Sequence, residues 1–200
     1  SSAFVRSPLE RGGMLWWPAA AIVSGVLVEA RAFTTTPNLP EELQASPSIE
    51  TSRFIEDHVV DLVVGSGLTS LGLAFAAVFV AGLVRAASTG APQSLAGPLL
   101  TLGGAMMLAS TFIGYAFNLM LAGAAEEDRA PTTVASMYTI ADSLGYIGWP
   151  PIGLVTAGVA LASLRDRVFP RWLGWVSAVA TGIFALLAFL PFLSWAPALL

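Results

Sequence analysis

The sequence predicts an all-α fold, in which a bundle of helices crosses a membrane. Of its 200 residues, 56% are hydrophobic and only 11% are charged, and its mean hydropathy is +0.75. A soluble domain carries about 25% charged residues, so this chain has too few charges to cover a surface in water. Five stretches also reach the roughly 20 apolar residues that a helix needs to cross a bilayer. Together these observations exclude a soluble monomer.

The composition excludes further classes of protein. Disordered chains have low hydrophobicity and nucleic-acid-binding proteins need clustered cations, whereas this chain is apolar and has a net charge of −4. We therefore expect no nucleic acid among its partners. The absence of cysteine excludes disulfides, thiolate metal sites and a cysteine nucleophile.

We predict five membrane-spanning helices in a single domain. They cover roughly residues 14–33, 59–84, 98–125, 136–164 and 172–195, with an outer loop at 34–57. The first stretch is similar to a secretory signal, because arginines precede it and Ala30-Arg31-Ala32 has the spacing that signal peptidase favours. We interpret it as a retained first helix.

The outer loop is expected to contain the start of the second helix. Ser46 and Pro47 are suited to the N-cap and the first helical position. A helix that begins there would rest Ile49, Phe54 and Ile55 on the outer face as a small lid. The alternative is a mobile, solvated linker.

The distribution of arginine predicts the orientation, because cytoplasmic segments of membrane proteins collect positive charge. An N-terminus inside places six arginines in cytoplasmic segments and three outside. The inner six are Arg6, Arg11, Arg85, Arg165, Arg167 and Arg171, and the outer three are Arg31, Arg53 and Arg129. We therefore predict a multi-pass protein with the N-terminus inside and the C-terminus outside. Arginine without lysine, together with abundant alanine and glycine, indicates a bacterial plasma membrane.

Polar residues of four helices are expected to meet in the outer half of the bilayer. Glu29 and Asn118 lie near the ends of helices that run outward, and Asp61 and Asp142 lie near the beginnings of helices that run inward. Because ionisable groups in a membrane are costly and usually functional, we predict an outward-facing polar pocket. Its predicted ligand-binding residues are Thr111, Tyr115, Asn118, Tyr138, Tyr146 and Trp149. The alternative is that these groups only hydrogen-bond between helices.

Pro150 and Pro151 interrupt the fourth helix. Proline has no N–H to donate to the carbonyl four residues earlier, which leaves the carbonyls of Tyr146 and Ile147 without their helical partners. In a membrane these oxygens need another donor, such as a ligand or a neighbouring hydroxyl. The simpler expectation is a kink within a single helix.

The sequence leaves acid/base chemistry open as an alternative. His58 and Asp61 are three residues apart on one predicted helix face, so the carboxylate would orient the imidazole. With Glu29 and Asp142 opposite, these would be the catalytic residues of an isomerase, cyclase or epoxide hydrolase acting on a lipid or isoprenoid. A single histidine excludes bis-histidine haem, and we expect no metal and no cofactor.

The favoured interpretation is a non-enzymatic membrane protein. It would bind a membrane lipid or another hydrophobic small molecule, or act as a subunit of a membrane complex or a homo-oligomer. A transporter is less favoured, because five helices do not divide into two equal repeats.

A short motif adds a family resemblance. The step Pro170-Arg171-Trp172-Leu173-Gly174 leads into the last helix. It resembles a group of uncharacterised bacterial integral membrane proteins with five or six helices, and the acidic start of the second helix, His58 to Leu62, is loosely similar to the same group. The resemblance implies a helical membrane fold and no particular activity.

Overall fold

The computed structural model describes residues 16–32, 49–126, 130–147 and 149–195, and their regular secondary structure is entirely helical. The helices are α1 (Trp16–Ala32), α2 (Ile49–Asp57), α3 (Val59–Gly90), α4 (Ala96–Glu126), α5 (Pro131–Ile147), α6 (Trp149–Leu164) and α7 (Arg171–Trp195). The all-α prediction is confirmed over these ranges.

Three helices are long and apolar enough to cross a membrane. They are α3, α4 up to Ala125, and the part of α7 from Arg171 to Ala188. Helix α6 is apolar but shorter, and α1 has 17 residues. A membrane protein with at least three spanning helices is therefore supported, and five spans stay a prediction.

Helix α4 lies at the centre of the bundle. It packs against α3 and α6 along much of its length, and against α5 and α2 as well. Helix α1 packs mainly on α3, and α7 mainly on α6. The last helix is therefore peripheral, and a hydrogen bond of 2.9 Å from Thr181 Oγ1 to Thr156 Oγ1 joins it to α6.

Two buried apolar clusters close the bundle at opposite ends. The lid cluster joins α2, the start of α3, the end of α4 and the start of α5. The turn cluster joins the end of α3, the start of α4 and the end of α6. The lid cluster contains Ile55, Leu62, Leu121, Ala122, Ala124, Ala125 and Val134, and the turn cluster contains Leu83, Ala87, Ala96, Leu100, Val159 and Ala162. We call the corresponding ends of the molecule the lid end and the turn end.

The segment before α3 is a separate short helix that docks on the bundle. Helix α2 ends at Asp57, and its Ile55 is completely buried in the lid cluster. Residues 49–57 therefore pack on the bundle as the lid alternative predicted for Phe54 and Ile55, but they form a helix separate from α3, and the side chain of Ile49 lies outside the described residues. The predicted helix start near Pro47 lies outside the described residues.

The fourth predicted helix, 136–164, is divided into two helices in the structure, and residue 148 between them lies outside the described residues. Helix α5 begins earlier, at Pro131, and ends at Ile147, and α6 begins at Trp149. Pro150 and Pro151 occupy the first turn of α6, where their missing N–H groups cost nothing. Two consecutive prolines also clash with the preceding turn, which is why the chain starts a new helix there.

The register between α3 and α4 is antiparallel and is set at both ends. Near the turn end, a Cβ on Gly104 would overlap Val80 Cγ1. Near the lid end, Leu62 and Ala122 share the lid cluster. The Gly104–Val80 contact, together with the cluster that Leu62 and Ala122 share, places Thr69 level with Tyr115.

Candidate functional site

Polar side chains of α3 and α4 lie at one depth, between the lid cluster and the middle of the bundle. Ser66 and Thr69 of α3 are 4% and 3% exposed. The antiparallel register brings Ser66 level with Asn118 and Thr69 level with Tyr115, and both α4 residues are half-buried. We call these four residues the polar band.

Two hydroxyl groups at or near the polar band donate hydrogen bonds within their own helices and keep acceptor lone pairs free for other bonds. Thr69 Oγ1 donates to the Gly65 carbonyl at 2.8 Å, and Thr111 Oγ1 donates to the Met107 carbonyl at 2.8 Å. A hydroxyl oxygen keeps its acceptor lone pairs after donating. These groups can therefore accept a hydrogen bond from a further polar partner.

Helix α5 carries two more predicted residues on the side of the lid cluster. Val134 packs with Leu121 in the lid cluster, and Tyr138 packs against that cluster. Helix α5 starts at the lid end and runs antiparallel to α4, so Tyr138 and the backbone of Asp142 lie about 6 and 12 Å of helix rise beyond Val134 toward the other end of the bundle. Of Asp142 and Tyr146 in α5, and of Trp149 at the start of α6, only the backbone is described.

A hydrogen bond joins helix α1 to α3. Ser24 Oγ donates to the Gly72 carbonyl of α3 at 3.1 Å. Glu29 lies five residues further along α1, or about 7 Å of helix rise. Its side chain lies outside the described residues.

His58 closes helix α2. Its backbone N–H donates to the Ile55 carbonyl at 3.0 Å, three residues back, which leaves the Phe54 carbonyl without its usual helical donor. The imidazole Nδ1 lies 2.7 Å from that carbonyl, and the His58 and Phe54 rings stack with centroids 4.5 Å apart. Since a carbonyl only accepts, Nδ1 carries the proton and donates.

Asp61 is not the partner of His58. The residue is exposed in the first turn of α3, where a carboxylate interacts favourably with the helix dipole. No hydrogen bond or ion pair joins the two side chains, both of which the structure describes. The expected carboxylate–imidazole pair is therefore not formed, and the Phe54 carbonyl takes its place.

The predicted acid/base residues lie at two depths. His58 and Asp61 belong to the lid end. Asp142 lies eight residues beyond Val134 of the lid cluster, which corresponds to about 12 Å of helix rise. Tyr115 and Asn118 thus share a depth with the buried hydroxyls of α3, whereas His58 lies nearer the lid end.

Two buried hydroxyls of α2 did not feature in the sequence-based site. Ser52 Oγ donates to Glu56 Oε1 at 2.9 Å. Thr51 is 2% exposed, and its Oγ1 has no hydrogen-bond partner among the described residues. The spacing of Thr51 and Ile55, one helical turn apart, was the available signal, but it depends on knowing that α2 docks.

The site offers no cluster of metal ligands in the described part of the chain, where no group of three or more His, Asp or Glu side chains is suitably placed. The chain matches no family model, no curated protein and no solved structure. The function is therefore argued from the geometry alone.

Proposed function

We propose that this protein is a five-span bacterial plasma-membrane protein that binds an amphipathic, lipid-like ligand at the polar band. The observation that carries the proposal is the common depth of polar residues from α3 and α4, with Tyr138 of α5 packed against the adjacent lid cluster. Thr69 of α3, Tyr115 of α4 and Tyr138 of α5 come from distant parts of the sequence. A band of this kind, inside an otherwise apolar bundle, suits the polar group of a lipid-like molecule.

The five spans would be α1, α3, α4, the pair α5–α6, and α7. Helices α5 and α6 have 17 and 16 residues, about 25 Å each, and we assign them together to one crossing that is interrupted at the two prolines. The turn end carries exposed Arg165, Arg167 and Arg171. Positive charge favours the cytoplasmic side, so the lid end faces outward in this proposal.

The surroundings of the polar band supply the apolar half of a lipid-like site. Phe112 and Ile113 on α4 are exposed beside Tyr115, and in a bilayer they would contact acyl chains. A ligand would place its polar group at the band and its chain along these residues. The unpartnered hydroxyl of Thr51 is a further donor at the lid end.

Acid/base catalysis is less well supported than binding. It requires two titratable groups at one reacting site. The rise of about 12 Å between the lid cluster, near His58, and Asp142 places the two at different depths. Binding needs no such proximity.

Photo-crosslinking of the purified protein tests the proposal. A diazirine-labelled palmitic acid is added in nanodiscs, and the labelled peptides are mapped by mass spectrometry. We expect labelling concentrated in residues 110–120 and 136–147. Asn118→Leu should reduce it about two- to tenfold, the effect of losing one hydrogen bond.

A matched pair of substitutions controls for local effects. Thr111 and Thr101 both lie on α4 and both donate to the carbonyl four residues earlier, at 2.8 and 2.9 Å. Thr111→Val should lower labelling, whereas Thr101→Val, near the turn end, should not. Equal labelling of the exposed faces of α4 and α7 would contradict the proposal. Protection of the same peptides by a second protein chain would point to a subunit interface instead.

A further inference from the structure

The turn between α6 and α7 presents three cations without acidic partners. Arg165, Arg167 and Arg171 are all exposed within seven residues. The one acid in this turn, Asp166, is half-buried and accepts a hydrogen bond from Ser94 Oγ. None of the three guanidinium groups forms an ion pair with a described residue. The surface of the turn is therefore strongly positive.

The backbone holds this turn in one conformation. The Val168 N–H donates to the Ala162 carbonyl at 2.8 Å, and the side chains of Val168 and Phe169 pack against the turn cluster. Arg167 has φ 56°, in the left-handed region that residues other than glycine rarely adopt. Glycine would adopt this conformation without strain, so the arginine side chain is held here at a cost to the backbone.

Two tryptophans place the turn at the depth of lipid headgroups. Trp172 and Trp175 are 67% and 64% exposed on α7, and exposed Val176 and Val179 continue the same surface. Indole rings concentrate at the interface between headgroups and hydrocarbon. The arginines that immediately precede these rings therefore lie among the headgroups.

We propose that the α6–α7 turn binds the phosphate of an anionic phospholipid through Arg165, Arg167 and Arg171. One guanidinium group can donate two parallel hydrogen bonds to two oxygens of a phosphate. Trp172 would contact the glycerol and upper acyl region of the same lipid. This site lies at the opposite end of the bundle from the polar band. It goes beyond the proposed function, and either proposal can fail without the other.

Native mass spectrometry tests the site. The full chain is incubated with equimolar phosphatidylglycerol and phosphatidylcholine, and the bound lipids are counted. We expect retention of phosphatidylglycerol by the parent protein. Each Arg→Gln substitution should weaken this binding about fivefold, and R165Q/R167Q/R171Q about a hundredfold. Arg53→Gln, which removes an exposed arginine at the lid end, should leave it unchanged.

Arg167→Gly separates a ligand-binding role from a structural one and also covers the case that the triple variant does not fold. It removes the backbone strain together with the charge, so the melting temperature in detergent should stay equal or rise. Phosphatidylglycerol binding should nevertheless fall about fivefold. Unchanged lipid preference in Arg167→Gly or in the triple variant would overturn the proposal, as would displacement of the lipid by millimolar glycerol phosphate.

Discussion

Two adjacent glycines of α4 face different neighbouring helices. Gly103 lies against the α6 backbone, and Gly104 lies against Val80 of α3. Successive helical residues are about 100° apart, so a glycine pair can serve two contacts at once. In a membrane, small residues of this kind decide how closely helices approach. The central position of α4 depends on both.

Gly103→Ala should destabilise the bundle. An added Cβ would lie 2.8 Å from the Val155 nitrogen and 3.0 Å from the Pro151 carbonyl oxygen, and backbone atoms cannot turn aside. We expect a loss of about 1–2 kcal/mol in the free energy of unfolding, because overpacking outweighs the gain of about 1 kcal/mol in helix propensity. Denaturation in detergent measures it.

Gly114→Ala is the matched control on the same helix. Among the described residues, no atom outside the backbone of its own helix turn lies within 4 Å of its added Cβ, so this variant should be as stable as the parent or more stable by up to about 1 kcal/mol. A Gly103→Ala protein at least as stable as Gly114→Ala would show that the close approach of α4 and α6 is not required.

The surroundings of His58, the only histidine, could not be predicted from residue spacing alone. The interval between His58 and Asp61 suggested an imidazole held by a carboxylate. The turn at the end of α2 instead exposes the Phe54 carbonyl, and the imidazole bonds to it. A backbone carbonyl freed by a helix end is invisible in the sequence unless the end itself is known.

At the scale of elements, the lid helix α2 is the part whose position depends on a few contacts. It is held by Ile55 in the lid cluster and is closed at its end by His58. Segments with few buried contacts open with small free energies. The stability of α2 should therefore respond to single substitutions that leave the rest of the bundle unaffected.

His58→Ala should loosen α2 selectively. The lost hydrogen bond contributes about 1 kcal/mol, so amide hydrogen exchange in residues 52–58 should accelerate about fivefold, with no change in α4. Asp61→Asn is the control, because Asp61 is exposed and does not contact the imidazole through a hydrogen bond. Equal acceleration of exchange in both variants would contradict this prediction and would indicate that His58 and Asp61 stabilise α2 together.

The sequence predicted the cause of the interruption between α5 and α6, but it did not predict that two separate helices would form. Two prolines in succession remove two backbone donors, and the sequence predicted a disturbance at that point. Whether the chain bends or begins a new helix depends on how it packs against the neighbouring helices. Here Gly103 of α4 lets the α6 backbone approach at Pro151, and α6 begins as a separate helix.

At the scale of the whole molecule, charge separates between the two ends. The turn end exposes Arg165, Arg167 and Arg171. The lid end exposes Glu50, Glu56, Asp57 and Asp61. The hydrogen bond between Ser94 and Asp166 joins the turn before α4 to the turn after α6. The three arginines and the 91–95 turn therefore lie at the same end of the bundle. A net charge of −4 thus conceals a polar distribution along the bundle.

Single cysteines should report the orientation, since the chain has none of its own. Glu56→Cys at the lid end and Gln93→Cys at the turn end replace exposed residues. In intact cells, a membrane-impermeant maleimide should label Glu56→Cys and not Gln93→Cys, and permeabilised cells should label both. The opposite pattern would reverse the proposed topology. Labelling of both variants in intact cells would mean that the two ends do not lie on opposite sides.

The sequence by itself determined the fold class, the apolar helices and the position of the interruption at Pro150. The physical reason is that a membrane-spanning segment must satisfy its backbone hydrogen bonds internally, so helix formation follows from local hydropathy and local proline.

Only the tertiary structure decided which side chains share a depth. Register arises where distant segments touch, as Gly104 touches Val80 and Leu62 packs with Ala122. That register places the polar band together, and a separate contact buries Ile55 of the lid helix in the lid cluster. Such contacts depend on the close fit of small residues between helices, which no pattern within a single helix encodes.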